Sequence, residues 1–299
     1  MSPVEGVGEL DLHPVTPRIG AEIRGLRLSG KPDSATADAL RRALRKYKVL
    51  FLRNQGHIDQ NEHQEFAQVF GPVLLHPAYG TGLSVIDCAK SYARVSTWHA
   101  DITFQLAYPG ATVLQGVVVP SCGGDTLFAN SVTAYDELPA EVKRLADTLR
   151  AIHSNQGEFI AYRPDADSEE IKRFGRQFQK IECTTEHPVV RVISETGERS
   201  LLLGQHFRHF VGMSREDSRG LYQVLQGHVT APQNTMRWRW QAGDIAIWEN
   251  RTTQHYAVDD YGTQARIMHS VVVGGDVPVG IDGRPSRSLT DSQTGVAAA

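Results

Sequence analysis

The stretch "STWHAD", residues 96–101, sets an imidazole and a carboxylate, His99 and Asp101, two residues apart behind a tryptophan. In an extended segment, residues two apart point to the same face, so both side chains can aim at one point. One more imidazole would complete a set of two histidines and one carboxylate. On octahedral iron(II), that set leaves three adjoining coordination positions open. His255, in "NRTTQHYAV" after the apolar run 244–250, is the candidate, and only the fold can bring it to the other two. The same donors could hold zinc with an activated water, so a zinc hydrolase is a second reading of them.

Arg266, in "RIMHSVVVGG", adds a different chemistry. The segment around it reads as a buried strand, and a buried guanidinium needs an anionic partner. Its planar fork matches a carboxylate through two parallel hydrogen bonds. A structural ion pair would satisfy it equally well. Taken with the metal set, it fits a metal-chelating dicarboxylic acid gripped at its far end.

These residues must be positioned by a framework of mostly short strands. "KVLFLR" (48–53), "ATVLQGVVVP" (111–120), "DTLFANS" (125–131), "PVVRVI" (188–193) and "SLLLG" (200–204) carry the apolar, β-branched composition of strands. So do "MRWRW" (236–240), "DIAIWEN" (244–250) and "ARIMHSVVVGG" (265–275). Asp33 or Ser34 caps an expected helix with Leu40, Leu44 and Tyr47 on one face. Asp59 and Glu62 form a capping box ahead of Phe66, Val69 and Phe70, with Gly71-Pro72 as the stop. Pro139 opens a helix carrying Val142, Leu145, Leu149 and Ile152, and Ser214 caps another carrying Leu221, Val224 and Leu225. Short strands with a few flanking helices point to a mainly β fold, a sandwich or jelly roll, in a single domain over 1–299. Residues 154–184 are polar and weakly patterned and read as a lid excursion, and 283–299 as a disordered tail.

The formal charge of −3 argues against nucleic acid or an anionic membrane as a partner. No apolar run is long enough to span a bilayer, and the start lacks a signal pattern. Three scattered cysteines match no zinc spacing and suit a reducing cytoplasm. "RWRW" reads as a strand with arginines outward and tryptophans inward. His187 and His269 read as structural, and His206 and His209 as loop residues.

Four motifs together, "WHAD" (98–101), "GGDTLFANS" (123–131), "RWRWQAGDIAIWENRTTQHYAVDDY" (237–261) and "RIMH" (266–269), closely resemble the taurine dioxygenase and alkylsulfatase group of iron(II)/2-oxoglutarate dioxygenases. The resemblance runs from "RIGAEIRGLRL" (18–28) to "GGDVPV" (274–279). It implies a double-stranded β-helix, a cupin-like jelly roll with the metal in its mouth. It further implies that His99, Asp101 and His255 bind Fe(II), and that Thr126 and Arg266 bind the distal carboxylate of 2-oxoglutarate. With O2 as the second cosubstrate, such an enzyme oxidises an unactivated C–H bond by hydroxylation, desaturation or epoxidation. Relatives of this kind commonly form dimers or tetramers, which implies a homo-oligomer.

One departure bears on the substrate. Taurine and alkylsulfate enzymes of this group carry a second arginine four residues after the first, and here that position is Ser270. On a strand, Arg266, Met268 and Ser270 share a face over roughly 13 Å. A hydroxyl offers one modest hydrogen bond in place of an ionic clamp. The expectation is therefore a small, largely apolar organic substrate, such as a terpenoid lactone in antibiotic biosynthesis, with taurine and simple alkylsulfates turned over poorly. His76, Tyr79, Ile102, Phe104, Phe159, Phe207 and Ser270 are its candidate contacts. The alternative is an alkylsulfate or sulfonate dioxygenase in spite of Ser270.

Overall fold

The computed structural model describes residues 10–75, 81–88, 96–156 and 182–290. The chain opens with β1 (Asp11–Pro14) and β2 (Ala21–Arg24), an antiparallel pair. Helix α1 (Ser34–Tyr47) starts where the Asp33 carboxylate accepts from Thr36 N–H. After β3 (Val49–Leu52), helix α2 (Gln60–Ala67) begins with the expected capping box of Asp59 and Glu62. Then come β4 (Leu83–Asp87), β5 (Ala111–Val118), β6 (Thr126–Asn130), α3 (Ser131–Asp136), α4 (Ala140–Thr148), β7 (Arg150–Ser154), β8 (Thr184–Pro188), β9 (Val190–Val192), β10 (Arg199–Leu201) and β11 (Phe207–Phe210). The last third holds the Ser214-capped helix α5 (Arg215–Val229), β12 (Thr235–Trp238), β13 (Ile245–Glu249), β14 (Thr253–Ala257), β15 (Ile267–Val273), β16 (Val279–Gly280) and β17 (Arg287–Ser288).

Seven strands form a major sheet in the order β1-β2-β3-β13-β5-β15-β4, and β12-β6-β14 form a minor one. The two face each other across a shared core, which is the expected jelly-roll arrangement. A strand's two-residue period decides which residues enter that core. Val49 and Phe51, Leu114, Ala246 and Trp248, and Met268 face inward against Phe128, Met236 and Trp238 of the minor sheet. Phe51 stacks on Trp238 at 3.9 Å and meets Phe128 edge-on at 5.7 Å. The alternate residues Leu50, Leu52, Val113, Ile245, Ile247, Val271 and Val273 pack outward, beneath Leu40 and Leu44 of α1 and Phe66 of α2. Covered on both faces, these strands read as continuous apolar runs.

Several boundaries differ from expectation. The Pro139 helix stops at Thr148 because Leu149 is extended (ψ 146°) and hands the chain to β7, which contains Ile152. Leu145 is consequently exposed, and Ala146 is the helix residue that is buried. In α5, Leu225 is buried and Val224 is exposed. Helix α2 ends at Ala67, short of Phe70. The expected tail is ordered as far as residue 290, since β17 pairs with β8 and Ser286 bonds to His187 at 2.7 Å. Residues 291–299 lie outside the described residues, as does 157–181 of the expected lid. The flanks of that segment are tied together: Asn155 N–H donates to the Cys183 carbonyl at 3.2 Å, and Cys183 N–H to Asn155 Oδ1 at 3.0 Å. Among the described residues, no helix is long and apolar enough to cross a membrane.

Candidate active site

β14 carries His255 and pairs along one edge with β6. On its other edge it meets, among the described residues, residue 99 in a single antiparallel bridge. His99 N–H donates to the His255 carbonyl at 3.0 Å, and His255 N–H donates back to the His99 carbonyl at 2.8 Å. Directly opposed residues of an antiparallel pair project to the same side, and the two imidazole centroids stand 4.0 Å apart. The expected strand over 96–101 is thus reduced to one bridge. The chain turns immediately at Asp101, with Ile102 in the left-handed region (φ 55°). A bridge followed by a turn, in place of a two-residue strand period, brings the carboxylate to the imidazoles.

Asp101 Oδ1 lies 3.7 Å from His99 Nε2 and 3.6 Å from His255 Nε2. One donor atom from each of the three residues falls within 4.8 Å of the others, the only such metal-competent group among the described residues. His99 Nδ1 contacts the Thr97 carbonyl at 2.8 Å, and a carbonyl can only accept, so the ring's Nε2 lone pair is left for the cluster. The His255 ring lies 4.7 Å from Trp248 and 6.2 Å from Phe128. Burial, with His99 beside it, pushes the His255 imidazole down to about 3 against the pull of Asp101. Burial raises the Asp101 carboxyl, but His255, His99 and the Thr112 hydroxyl together hold it below its ordinary value. A neutral imidazole and an ionised carboxylate are the ligating forms, so the donor set fits a divalent metal at neutral pH.

Supporting groups fix this cluster. Asp101 N–H donates to Asn250 Oδ1 at 2.8 Å, and Asn250 Nδ2 donates to the carbonyls of Pro109 (3.0 Å) and Asp101 (3.2 Å). The Thr112 hydroxyl donates to Asp101 Oδ2 at 2.8 Å. Gly204 (φ +103°) runs so close beneath that a Cβ would stand 3.2 Å from His99 Cα.

The three donors line one wall of a cavity of about 240 Å³ between the two sheets. Thr126, Arg266 and Ser270 line it too, with Ile86, Ile102, Leu114, Met268 and Val272 as its apolar surface. The shared face expected for Arg266, Met268 and Ser270 is therefore real and extends to Val272. Arg266 is only 6% exposed, yet its hydrogen-bond partners among the described residues are the Gly124 carbonyl (Nε, 3.2 Å) and the Cys88 sulfur (Nη1, 3.7 Å), not a carboxylate. A buried guanidinium placed this way has capacity for an anion entering from the cavity. Gly124 makes room for it: at φ +71°, a Cβ would lie 3.2 Å from Arg266 Cδ. Thr126 Oγ1 accepts from Trp240 Nε1 at 2.9 Å, which leaves the threonine proton free to donate.

Two expected wall residues are elsewhere. Phe104 packs edge-on against His206 at 5.0 Å, and Phe207 stacks on Tyr222 at 4.7 Å; neither lines the cavity. Aromatic residues of this size contribute most when packed on other rings, and a sequence does not reveal which surface they meet. His76, Tyr79 and Phe159 lie outside the described residues. His187 is structural as expected, bonded to the Thr103 carbonyl at 2.8 Å and to Ser286. Sequence reasoning missed Thr112, Leu114 and Asn250. The first two share a face of β5 by its two-residue period; a polar residue closing the buried run "DIAIWEN" was the available signal for Asn250.

The family model for the taurine catabolism dioxygenase TauD, TfdA family matches residues 11–272. The chain is 50% identical over 285 residues to an alpha-ketoglutarate-dependent sulfate ester dioxygenase of Pseudomonas putida, covering 94% of each chain. It is 44% identical over 279 residues to an alkylsulfatase of Acinetobacter baylyi, covering 92% of this chain and 88% of that one. A solved taurine dioxygenase from Burkholderia xenovorans superposes with a TM-score of 0.79 at 34% identity, covering 94% of this chain and 96% of that one.

Proposed function

Because this chain belongs to the taurine catabolism dioxygenase TauD, TfdA family, an iron(II)/2-oxoglutarate-dependent dioxygenase family, we propose that it oxidises organic sulfate esters. The observation that carries the site assignment is the pairing of three converged metal donors with a buried Arg266 that opens into the same cavity and, among the described residues, lacks a carboxylate partner. The substrate class is supported by the two relatives named for sulfate esters and alkyl sulfates. The zinc-hydrolase reading of the same three donors is supported less well, since the family match and the relative named above are dioxygenases.

His99, Asp101 and His255 would hold Fe(II). When bound with 2-oxoglutarate and O2, the iron supplies oxidation of an unactivated C–H bond, coupled to decarboxylation of the cosubstrate to succinate and CO2. Arg266 and Thr126 bind the far carboxylate of 2-oxoglutarate, the first through charge-assisted hydrogen bonds and the second through its free hydroxyl proton. That anchorage orients the keto acid end toward the three donors. Ile86, Ile102, Leu114, Met268 and Val272 pack on the alkyl part of the ester and exclude water. Ser270 donates a single hydrogen bond to a polar group at the far end of the same wall. Hydroxylation at the carbon bearing the sulfate leaves a hydroxylated ester that collapses to an aldehyde and hydrogen sulfate.

The expectation of an apolar natural product, raised by Ser270, is supported less well than this reading. The loss of an ionic clamp at 270 acts here on how the ester is held, shifting weight from its anionic head to its alkyl chain. A single catalytic domain is supported by the length of the family match, and a reducing cytoplasm by three free cysteines. The test is turnover of a panel of alkyl sulfates, taurine and a neutral terpenoid lactone, with succinate and free sulfate measured together. Equal yields of both from alkyl sulfates are expected. Succinate release with the lactone, and none with any sulfate ester, would overturn the assignment.

A further inference from the structure

We propose that Thr112 is a positioning residue that fixes Asp101 as a one-oxygen metal ligand. The inference rests on reading His99, Asp101 and His255 as the metal donors and adds a residue that acts on one of them.

Two different groups hold the two parts of Asp101. Asn250 binds its backbone from both sides, through the N–H at 2.8 Å and the carbonyl at 3.2 Å. That grip locates Cα and leaves the carboxylate free to rotate, since the terminal torsion of an aspartate is broad and roughly two-fold. The rotation is stopped by Thr112, whose hydroxyl meets Oδ2 at 2.8 Å. An ionised carboxylate only accepts, so the hydroxyl is the donor, and the bond is charge-assisted. The other oxygen, Oδ1, is the atom turned toward both imidazole Nε2 atoms, at 3.7 and 3.6 Å.

Thr112 is well placed for this. It sits on β5 between β13 and β15, opposite Trp248 on one side and Val272 on the other. It is 2% exposed, and its branched Cβ limits χ1, so the hydroxyl has little freedom. Its backbone hydrogen bonds belong to the sheet, so the side chain can change without loss of the ladder. A carboxylate that turned both oxygens to the metal would occupy one of the positions that a two-histidine, one-carboxylate set keeps open. Holding Oδ2 away preserves them.

The experiment compares wild type, Thr112→Val and Thr112→Ser by anaerobic titration with Co(II) against a competing chelator, with the cobalt absorption spectrum and the melting temperature of the metal-free proteins recorded. Valine keeps the shape and removes the donor; serine keeps the donor and removes the methyl. The valine variant is expected to bind Co(II) about 10–100-fold more weakly with an altered spectrum, while serine stays close to wild type. Wild-type affinity and spectrum in the valine variant would overturn the proposal, as would an equal loss in both variants. Should valine prevent folding, Thr112→Ala takes its place, and equal affinity of the serine and alanine variants would then overturn it. Wild-type protein that takes up no cobalt would instead sink the reading of the three donors.

Discussion

His99 and His255 are bonded to each other through both of their backbone N–H and carbonyl groups, at 3.0 and 2.8 Å. The two imidazoles are brought together by main-chain pairing, not by any attraction between the rings, which would favour neither. The bridge is made of main-chain groups alone, so the metal donors can be altered singly by residues other than proline without removing its hydrogen bonds. Trp98, which precedes His99, and Tyr256, which follows His255, meet at 5.7 Å and flank the bridge.

Replacing Asp101 with alanine is expected to abolish the weak visible absorption that iron(II) and 2-oxoglutarate give anaerobically in the wild type. The melting temperature of the metal-free protein should change little, because Asn250 holds residue 101 by its backbone. A retained absorption band would remove Asp101 from the donor set.

Arg266→Ala should raise the 2-oxoglutarate requirement. Loss of a charge-assisted contact costs about 2 kcal/mol, or roughly 30-fold in KM for the cosubstrate. Succinate release across a 2-oxoglutarate titration reads this directly. An unchanged KM would show that a different cation holds the cosubstrate.

Gly124→Ala should act on the same carboxylate from behind. A side chain at φ +71° costs about 1–2 kcal/mol of stability, and its Cβ would press on Arg266 at 3.2 Å. The urea midpoint is expected to fall and the 2-oxoglutarate KM to rise. A loss of stability with an unaltered KM would separate Gly124 from the anion site.

The buried histidines behind the Asp101 turn should make the protein sensitive to acid. Burial holds His187 at about 3, against its ordinary 6.5, and His153 is likewise pushed well down. Between those values the unfolded chain binds a proton that the folded one refuses, so this stability is complete above about pH 6.5 and is lost as pH falls toward 3. Urea midpoints measured from pH 7 to pH 4 should decline, and His187→Gln should flatten the decline while lowering stability at pH 7. Equal slopes in the two proteins would show that other groups dominate acid unfolding.

Local chemistry was legible in the sequence. Asp33, Asp59 and Ser214 cap helices where their positions indicated, because a cap involves only residues two or three apart. The two-residue period of β15, continued one residue ahead of it to Arg266, placed Arg266, Met268 and Ser270 on one face, because alternation is a property of a single extended segment. What only the tertiary structure decided depends on partners far along the chain. Asp101 reaches the imidazoles through Asn250, 149 residues away, and His255 is set by the pairing of β14 with β6. Phe104 and Phe207 went to the core because the surfaces they pack against come from other elements, including His206 in one case and α5 in the other. Strand order and register bring distant segments together, and a side chain's surroundings follow from that assembly, to which neither spacing nor residue type gives access.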